Sequence, residues 1–202
     1  MHALLTAHRP TSAPAPPSRG ERRRLARCDA VAVRRGELHA IDDLLSEAAA
    51  VIGSGWVQNA WFAVATPRGE RLLTAHQVRQ VYVYPVTGAC LAGSIVLAAG
   101  GPDLAATQLV QRTLDLTWHA LHDDLEPPAV LCPSPPVRAL RLLDLTRWND
   151  TAGRSRAEVT DLLGAARDLV KLQTTFTPRA QQLTSASSRP VCRPTTGPNA
   201  AI

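Results

Sequence analysis

The residues best able to do chemistry in this sequence fall in the segment TRWNDTAGRSRAEV, residues 146–159, where Trp148 is followed by Asn149 and Asp150. Such an Asp can act as a general base or a metal ligand, with the Asn as an orienting donor, if partners converge on it in space. The same residue types are common at helix ends, because their side chains bond to nearby backbone and tolerate turn geometry. The sequence favours a structural corner, with Trp148 packed between two helices, and leaves catalysis as the alternative.

Cys90 is a second catalytic candidate, as a nucleophile for which His76 or His119 would be the base. A reactive thiol needs a lowered pKa and a base within hydrogen-bonding reach. The neighbours of Cys90 are alanine and leucine. This apolar surrounding favours a small buried residue that serves packing.

The segment DLTWHALHDD offers metal-ligating side chains, His119 and His122 together with Asp115 and Asp123. Steps of four, three and one residues place them along one side of a helix, and both residue types bind metals. That side lies opposite the apolar stripe of the same helix, so a solvated polar face explains them equally well. We expect a solvated face, with no cofactor, and retain a metal site as the alternative.

The N-terminal segment is strongly basic. Residues 1–36 contain 8 Arg and 2 acidic residues, whereas residues 37–172 contain 11 basic and 15 acidic residues, a net charge of −4. Flexible arginine-rich segments bind phosphate backbones without a folded recognition element. Non-specific nucleic-acid binding is therefore an alternative to a solvated tail, and its candidate residues are Arg22, Arg23, Arg24 and Arg27.

Composition limits the classes of protein that remain. The four cysteines are far apart and form no zinc-finger spacing, which favours reduced thiols and a cytoplasmic location. The apolar run at 89–101 is shorter than the roughly 20 residues that a membrane-spanning helix needs, so no membrane association is expected. No phosphate-binding glycine loop or serine-nucleophile motif is present.

The predicted fold is mainly α: a compact bundle of four to five helices with a small β-hairpin, flanked by disordered tails. We predict a Pro/Ala/Arg-rich disordered arm over 1–35, a helical domain over 36–172 and a Thr/Ser/Pro-rich disordered tail over 173–202. The hairpin would pair the segment around Trp61–Val64 with Gln80–Val86, where valine and tyrosine alternate.

Several helix boundaries and faces can also be predicted. Asp103 is expected to cap the helix that follows it, and Ser155 with Glu158 forms a capping box at the start of the last helix. Val137, Leu140 and Leu143 share one face of an intervening helix and are expected to pack into the core.

Parts of the chain resemble an uncharacterised domain family of actinobacteria and their phages, whose members carry a Cys-Ala-x-Gly-Ala helix and a later Trp-Asn-Asp motif. The matching positions are Gly55-Trp56, Cys90, Ala92-Gly93, Trp148-Asn149-Asp150 and Glu158-Val159. The departures are Leu91 and Ser94 in place of Ala, and Ser155 in place of Thr. The resemblance covers roughly residues 37–172 and implies a domain boundary, with no activity attached.

The sequence therefore favours a small non-catalytic interaction or regulatory protein with a protein partner that the residues do not identify. The first alternative is a nucleic-acid accessory protein that uses the basic N-terminal arm. The second alternative is an enzyme whose site lies around Asp150, Cys90 and His119.

Overall fold

A computed structural model of the chain describes residues 18–122 and 133–186, with side chains described as far as residue 175. In chain order, the elements are helix α1 (Arg19–Ser54), strands β1 (Phe62–Thr66) and β2 (Gly69–Leu73), a 3-10 helix (Ala75–Tyr82), strand β3 (Val86–Ala89), helix α2 (Leu91–Ala98), a short 3-10 turn (Pro102–Leu104), and helices α3 (Gln108–Leu121), α4 (Pro135–Asn149) and α5 (Arg156–Ala186). The chain is thus mainly helical with a small antiparallel sheet, as predicted.

The chain forms two compact units, residues 1–34 and 35–202. The described part of the first unit is the beginning of α1, where Ser18 and Glu21 cap the helix reciprocally through two hydrogen bonds of 3.2 Å. These bonds satisfy backbone donors that are otherwise unpaired at a helix start. The predicted arm is therefore helical over residues 19–35, whereas residues 1–17 lie outside the described part. The predicted tail likewise begins as helix, since α5 continues to Ala186.

The core of the second unit is aliphatic. Helices α1 and α5 each bury one face, and the α5 face is the one that its periodicity predicts. Its buried members are Val159, Leu162, Leu163, Ala166, Leu169 and Val170. Burial of each such side chain contributes roughly 1.5–3 kcal/mol before entropy costs.

The sheet has the strand order β2-β1-β3, and both pairs are antiparallel. A tight turn joins β1 to β2, with Thr66 paired to Gly69 and Gly69 at a φ of 108°. The predicted second strand at Gln80–Val86 is wrong, because its first three residues belong to the 3-10 helix, a turn and a bend follow, and β3 begins only at Val86. Val81 and Tyr84 pack against the core, a spacing of three rather than the two of a strand.

Two further expectations are wrong. Asp103 does not cap α3, because it lies within the preceding 3-10 turn and Thr107 occupies the cap position. Val137, Leu140 and Leu143 do not enter the core: their exposed fractions are 40%, 62% and 42%. Helix α4 instead turns Leu145 and Asn149 inward, and both are fully buried.

Candidate functional site

The side chain of Asn149 lies at the centre of the Trp-Asn-Asp corner. Its Oδ1 accepts hydrogen bonds from the Trp56 indole Nε1 at 2.9 Å and from the Leu91 backbone N at 3.0 Å. Its Nδ2 donates to the Val57 carbonyl oxygen at 3.2 Å and to the Asp150 Oδ1 at 2.8 Å. An amide side chain has two acceptor lone pairs and two donor hydrogens, so all four are engaged.

The backbone of the corner is held by the same segment that contains Trp56 and Val57. The Gln58 side chain donates from its Nε2 to the carbonyl oxygens of Asn149 at 2.9 Å and Thr151 at 3.0 Å. Asn149 is the last residue of α4, where helix geometry leaves the final acceptors without partners, and Thr151 follows two residues later. The segment from Trp56 to Asn59 therefore caps α4 from outside the helix.

The Asp150 carboxylate links the corner to the loop before β1. Its Oδ1 accepts from the Asn59 backbone N at 2.8 Å as well as from the Asn149 side chain. Asn59 has a φ of 58°, in the left-handed region that few non-glycine residues adopt but that Asn tolerates. No ion pair is seen at Asp150 within the described residues.

Trp148 packs against the hydrophobic core. It is half-buried, and the Arg154 guanidinium lies 4.0 Å from the centre of its ring. Arg154 also donates to the Trp148 carbonyl oxygen at 3.2 Å and pairs with Glu158. The predicted capping box is present, since Ser155 N donates to Glu158 Oε2 and Glu158 N donates to Ser155 Oγ. The Ser155 hydrogen bonds hold the pKa of Glu158 below its usual range.

Cys90 serves as the cap of α2. Its Sγ accepts from the Gly93 backbone N at 3.3 Å, and the residue is buried. Burial raises the pKa of the Cys90 thiol to about 11, and the nearby Asp150 charge adds to this rise. The thiol is therefore protonated at neutral pH, which is the opposite of what a cysteine nucleophile requires.

The structure brings together three of the predicted catalytic candidates. Cys90, Asn149 and Asp150 border one cavity of about 250 Å³, together with residues of the loop before β1 and of the start of the 3-10 helix. None of the side chains found around this cavity is a histidine. The cavity thus combines a carboxylate with a protonated thiol and has no imidazole base beside them.

Helix α3 corrects the prediction of a solvated polar face. Asp115 and His119 are buried, with exposed fractions of 2% and 5%. Asp115 accepts a hydrogen bond from Arg141 of α4 at 3.0 Å, and Arg138 lies 3.7 Å from its other oxygen. The prediction fails because α3 is covered by α2, α4 and α5 together, so its polar side also faces neighbours.

His122 does lie on the surface, stacked on the Trp118 ring at 4.2 Å. Asp123 lies outside the described residues. Over residues 18–122 and 133–186, no group of three His, Cys, Asp or Glu side chains is placed to hold a metal ion.

The predicted nucleic-acid residues lie on the first part of α1. Arg22, Arg23, Arg24 and Arg27 are all exposed. Arg19, Arg23 and Arg27 recur every four residues, a spacing that places them on one face of the helix. None of the helices in the described part of the chain is both long and apolar enough to cross a bilayer.

The partners of the corner are not predicted by the sequence analysis. Trp56 enters it only through the resemblance, and Gln58 and Asn59 match no motif there. A tryptophan followed by Gln and Asn between a helix and a strand is a weak signal, because its partner lies more than 90 residues away. Thr74, which borders the cavity, carries no signal in the sequence.

These features define a helical domain with a three-stranded sheet, with a Trp-Asn-Asp corner whose central Asn149 is buried. The chain belongs to DUF6197, a family of unknown function, whose family model matches residues 36–169. The match agrees with the resemblance to an uncharacterised domain family. No curated protein and no solved structure matches the chain.

Proposed function

We propose that this protein is a non-catalytic interaction or regulatory protein, whose Trp-Asn-Asp corner forms a binding cavity rather than an active site. The observation that supports it best is the state of Cys90. It is the thiol found at the cavity, it caps a helix, and burial raises its pKa to about 11. General acid–base catalysis needs a group whose pKa lies near the working pH.

The hydrogen bonding and burial of the Asn149 side chain support the same proposal. An orienting amide in an active site keeps a donor or an acceptor for the substrate. All four hydrogen-bonding positions of Asn149 are occupied by other parts of the fold, and its side chain is fully buried. A structural role alone therefore accounts for all the hydrogen bonds of Asn149.

Thiol reactivity tests the proposal directly. Alkylation by iodoacetamide at neutral pH, followed by mass spectrometry of each cysteine peptide, should label the exposed Cys28 rapidly and Cys90 at least about 100-fold more slowly. Cys28 is the matched control within the same chain. Labelling of Cys90 as fast as Cys28, or any substrate turnover that Cys90→Ser abolishes, would overturn the proposal.

A second candidate function, nucleic-acid binding through the N-terminal arm, is favoured by the arginine face of α1. Arg19, Arg23 and Arg27 span about 12 Å of helix at 1.5 Å per residue. Exposed guanidinium groups at this spacing can follow a phosphate backbone, and such binding weakens steeply with salt.

The second candidate predicts salt-sensitive retention of the full chain on DNA or RNA, and deletion of residues 1–35 should abolish it. Arg23→Ala with Arg27→Ala should lower the slope of log affinity against log salt by roughly 2. Arg68→Ala with Arg71→Ala is the matched control. Both residues are exposed in the β1–β2 hairpin, and this double substitution removes the same amount of positive charge. Equal effects of the two pairs, or unchanged retention after the deletion, would remove this candidate.

The proposal also places the protein in the cytoplasm of an actinobacterium or of a cell infected by one of its phages. The resemblance of the Trp-Asn-Asp and Cys-Ala-x-Gly segments supports the source, and the wide spacing of the cysteines supports a reducing compartment.

A further inference from the structure

The cavity at the corner has one charged wall. Asp150 borders it, and the thiol of Cys90 beside it is neutral because its pKa is about 11. Within the described residues no Lys or Arg side chain pairs with Asp150: the neighbouring Arg154 lies over Trp148 and pairs with Glu158. A half-buried carboxylate without a basic partner favours a cation as its ligand.

The Asp150 carboxylate is held in place by one of its two oxygens. Oδ1 accepts hydrogen bonds from the Asn59 backbone N and the Asn149 side chain, both at 2.8 Å. No hydrogen bond to Oδ2 is found among the residues that the structure describes. A carboxylate fixed through one oxygen presents the other in a constant position, which lowers the entropy cost of binding.

Two further acceptors lie around the same cavity. Thr74 occupies the cap position of the 3-10 helix, yet its hydroxyl makes no capping hydrogen bond. The side-chain amide of Asn59 is exposed, and only the backbone of this residue takes part in the bond to Asp150. With Asp150, these residues place three side chains that carry acceptor oxygens at one cavity.

Part of the remaining wall is apolar. Trp61, Ala60 and Ala75 border the cavity, and the indole face of a tryptophan attracts cations as well as alkyl groups. A volume of about 250 Å³ accommodates several water molecules or the end of a small organic cation.

We propose that this cavity binds a primary ammonium group, carried by a small alkylamine or by a lysine side chain. An ammonium has three N–H donors and one positive charge, which match three acceptors and one carboxylate, and its alkyl stem fits the apolar wall. This inference rests on the proposed function, because it treats the cavity as a binding site.

The experiment is a titration of the full chain, labelled with ¹⁵N, with n-butylammonium chloride. We expect saturable shifts of the Asn59 and Leu91 backbone amide signals, with a Kd of about 1 mM or lower. Tetramethylammonium has the same charge but no N–H donor and should bind at least about tenfold more weakly. Sodium butyrate, which has a similar stem with a negative charge, should cause no saturable shift at these amides.

Variants separate the carboxylate from general charge. Asp150→Asn keeps the Oδ1 acceptor for Asn59 and should weaken butylammonium binding about tenfold or more, whereas Asp161→Asn removes an equal charge from an exposed site on α5 and should not change it. Thr74→Val removes the unengaged hydroxyl at an exposed position and should weaken binding severalfold. It provides the test if Asp150→Asn does not fold.

The two sources of the ammonium group are compared by titrating Nα-acetyl-lysine amide beside butylammonium. Tighter binding of the lysine derivative indicates a peptide ligand, and equal or weaker binding indicates a free amine; both support the inference. The inference is overturned if neither butylammonium nor Nα-acetyl-lysine amide causes saturable shifts. It is also overturned if Asp150→Asn binds butylammonium as tightly as the unaltered chain does. Saturable shifts of the same amides with butyrate would contradict an ammonium ligand but would be consistent with a binding function. Substrate turnover that depends on Cys90 would contradict the binding function itself.

Discussion

The indole Nε1 of Trp56 donates a hydrogen bond to the Oδ1 of Asn149 at 2.9 Å, across 93 positions of sequence. The bond joins the loop that leaves α1 to the end of α4. The same oxygen also accepts the first backbone N–H of α2. One buried amide therefore fixes three separate segments relative to each other.

Replacement of Asn149 should destabilise the protein strongly. Asn149→Ala leaves the Trp56 indole N–H and the Leu91 backbone N–H buried without an acceptor, and we expect a loss of about 2–5 kcal/mol in the free energy of unfolding. Urea denaturation followed by circular dichroism measures it. Gln108→Ala removes an exposed amide at the start of α3 and should change stability by less than about 0.5 kcal/mol. A loss below about 1 kcal/mol for Asn149→Ala would contradict the role of its amide.

Cys90 should make stability fall in alkali. Its pKa rises from 9.0 to about 11 because burial disfavours the thiolate. The unfolded chain loses the proton near its ordinary pKa while the folded chain keeps it, so stability decreases as pH rises from about 9 to 11. The shift corresponds to roughly 2–3 kcal/mol.

The check on this alkaline loss is a comparison with Cys90→Ser. Serine keeps a capping oxygen for the start of α2 and does not titrate in this range. Urea midpoints at a series of pH values should show the difference between the two proteins shrink or reverse as the pH rises. Parallel curves for the two proteins would show that Cys90 is not the titrating group.

Two glycines near the end of α1 should respond oppositely to alanine. A Cβ on Gly55 would lie 1.9 Å from the Thr87 carbonyl oxygen, which is backbone and cannot move aside cheaply. Gly55→Ala should therefore destabilise by about 1–3 kcal/mol or more through overpacking. Gly53 lies within α1 with nothing inside 4 Å, so Gly53→Ala should stabilise by roughly 0.5–1 kcal/mol. Thermal melting of both variants measures the contrast, and equal shifts would contradict the close approach at Gly55.

The Asp42–Arg167 ion pair should make the packing of α1 on α5 sensitive to acid. Arg167 donates to both Asp42 oxygens, at 2.9 and 3.2 Å, and these hydrogen bonds hold the pKa of Asp42 below its ordinary 3.8. A lowered carboxyl pKa contributes stability above its ordinary value, and this contribution is lost as pH falls through the lowered one. The pair is partly exposed, with the Asp42 side chain at 28%, so its contribution is modest.

Asp42→Asn tests the acid dependence of this ion pair. The stability difference between the unaltered chain and Asp42→Asn should be largest at neutral pH and should shrink as the pH falls below the ordinary pKa of 3.8. Asp161→Asn, at an exposed site on the same α5, should show no such change. If the stability difference stays the same in acid, the negative charge of Asp42 is not the source of its contribution to stability.

Local patterns predicted the helices and the corner because their causes lie within a few residues. The apolar face of α5 follows from a spacing of three and four, and its capping box follows from Ser155 and Glu158 three positions apart. The structural role of Asn149 was predicted from its residue type and position at a helix end. Its four partners were not.

The failures arise where long-range packing decides the environment. Asp115 is buried because Arg141 of another helix supplies its counter-charge, and no local pattern reveals that pairing. The valine and tyrosine alternation at Gln80–Val86 is typical of a strand, yet tertiary packing selects a 3-10 helix there. The cavity escaped prediction for a related reason, since Thr74 and Asp150 become neighbours only in the folded chain.

The remote origin of the Asn149 partners has a consequence for folding kinetics. Residues 56, 57 and 91 can reach this amide only after loops of 58 to 93 residues have closed, an ordering cost that must be met before any bond is gained. We therefore predict that these bonds form after the rate-limiting step of folding. In stopped-flow experiments, loss of the amide should therefore accelerate unfolding while the refolding rate stays nearly constant, so this single residue governs how long the native state persists.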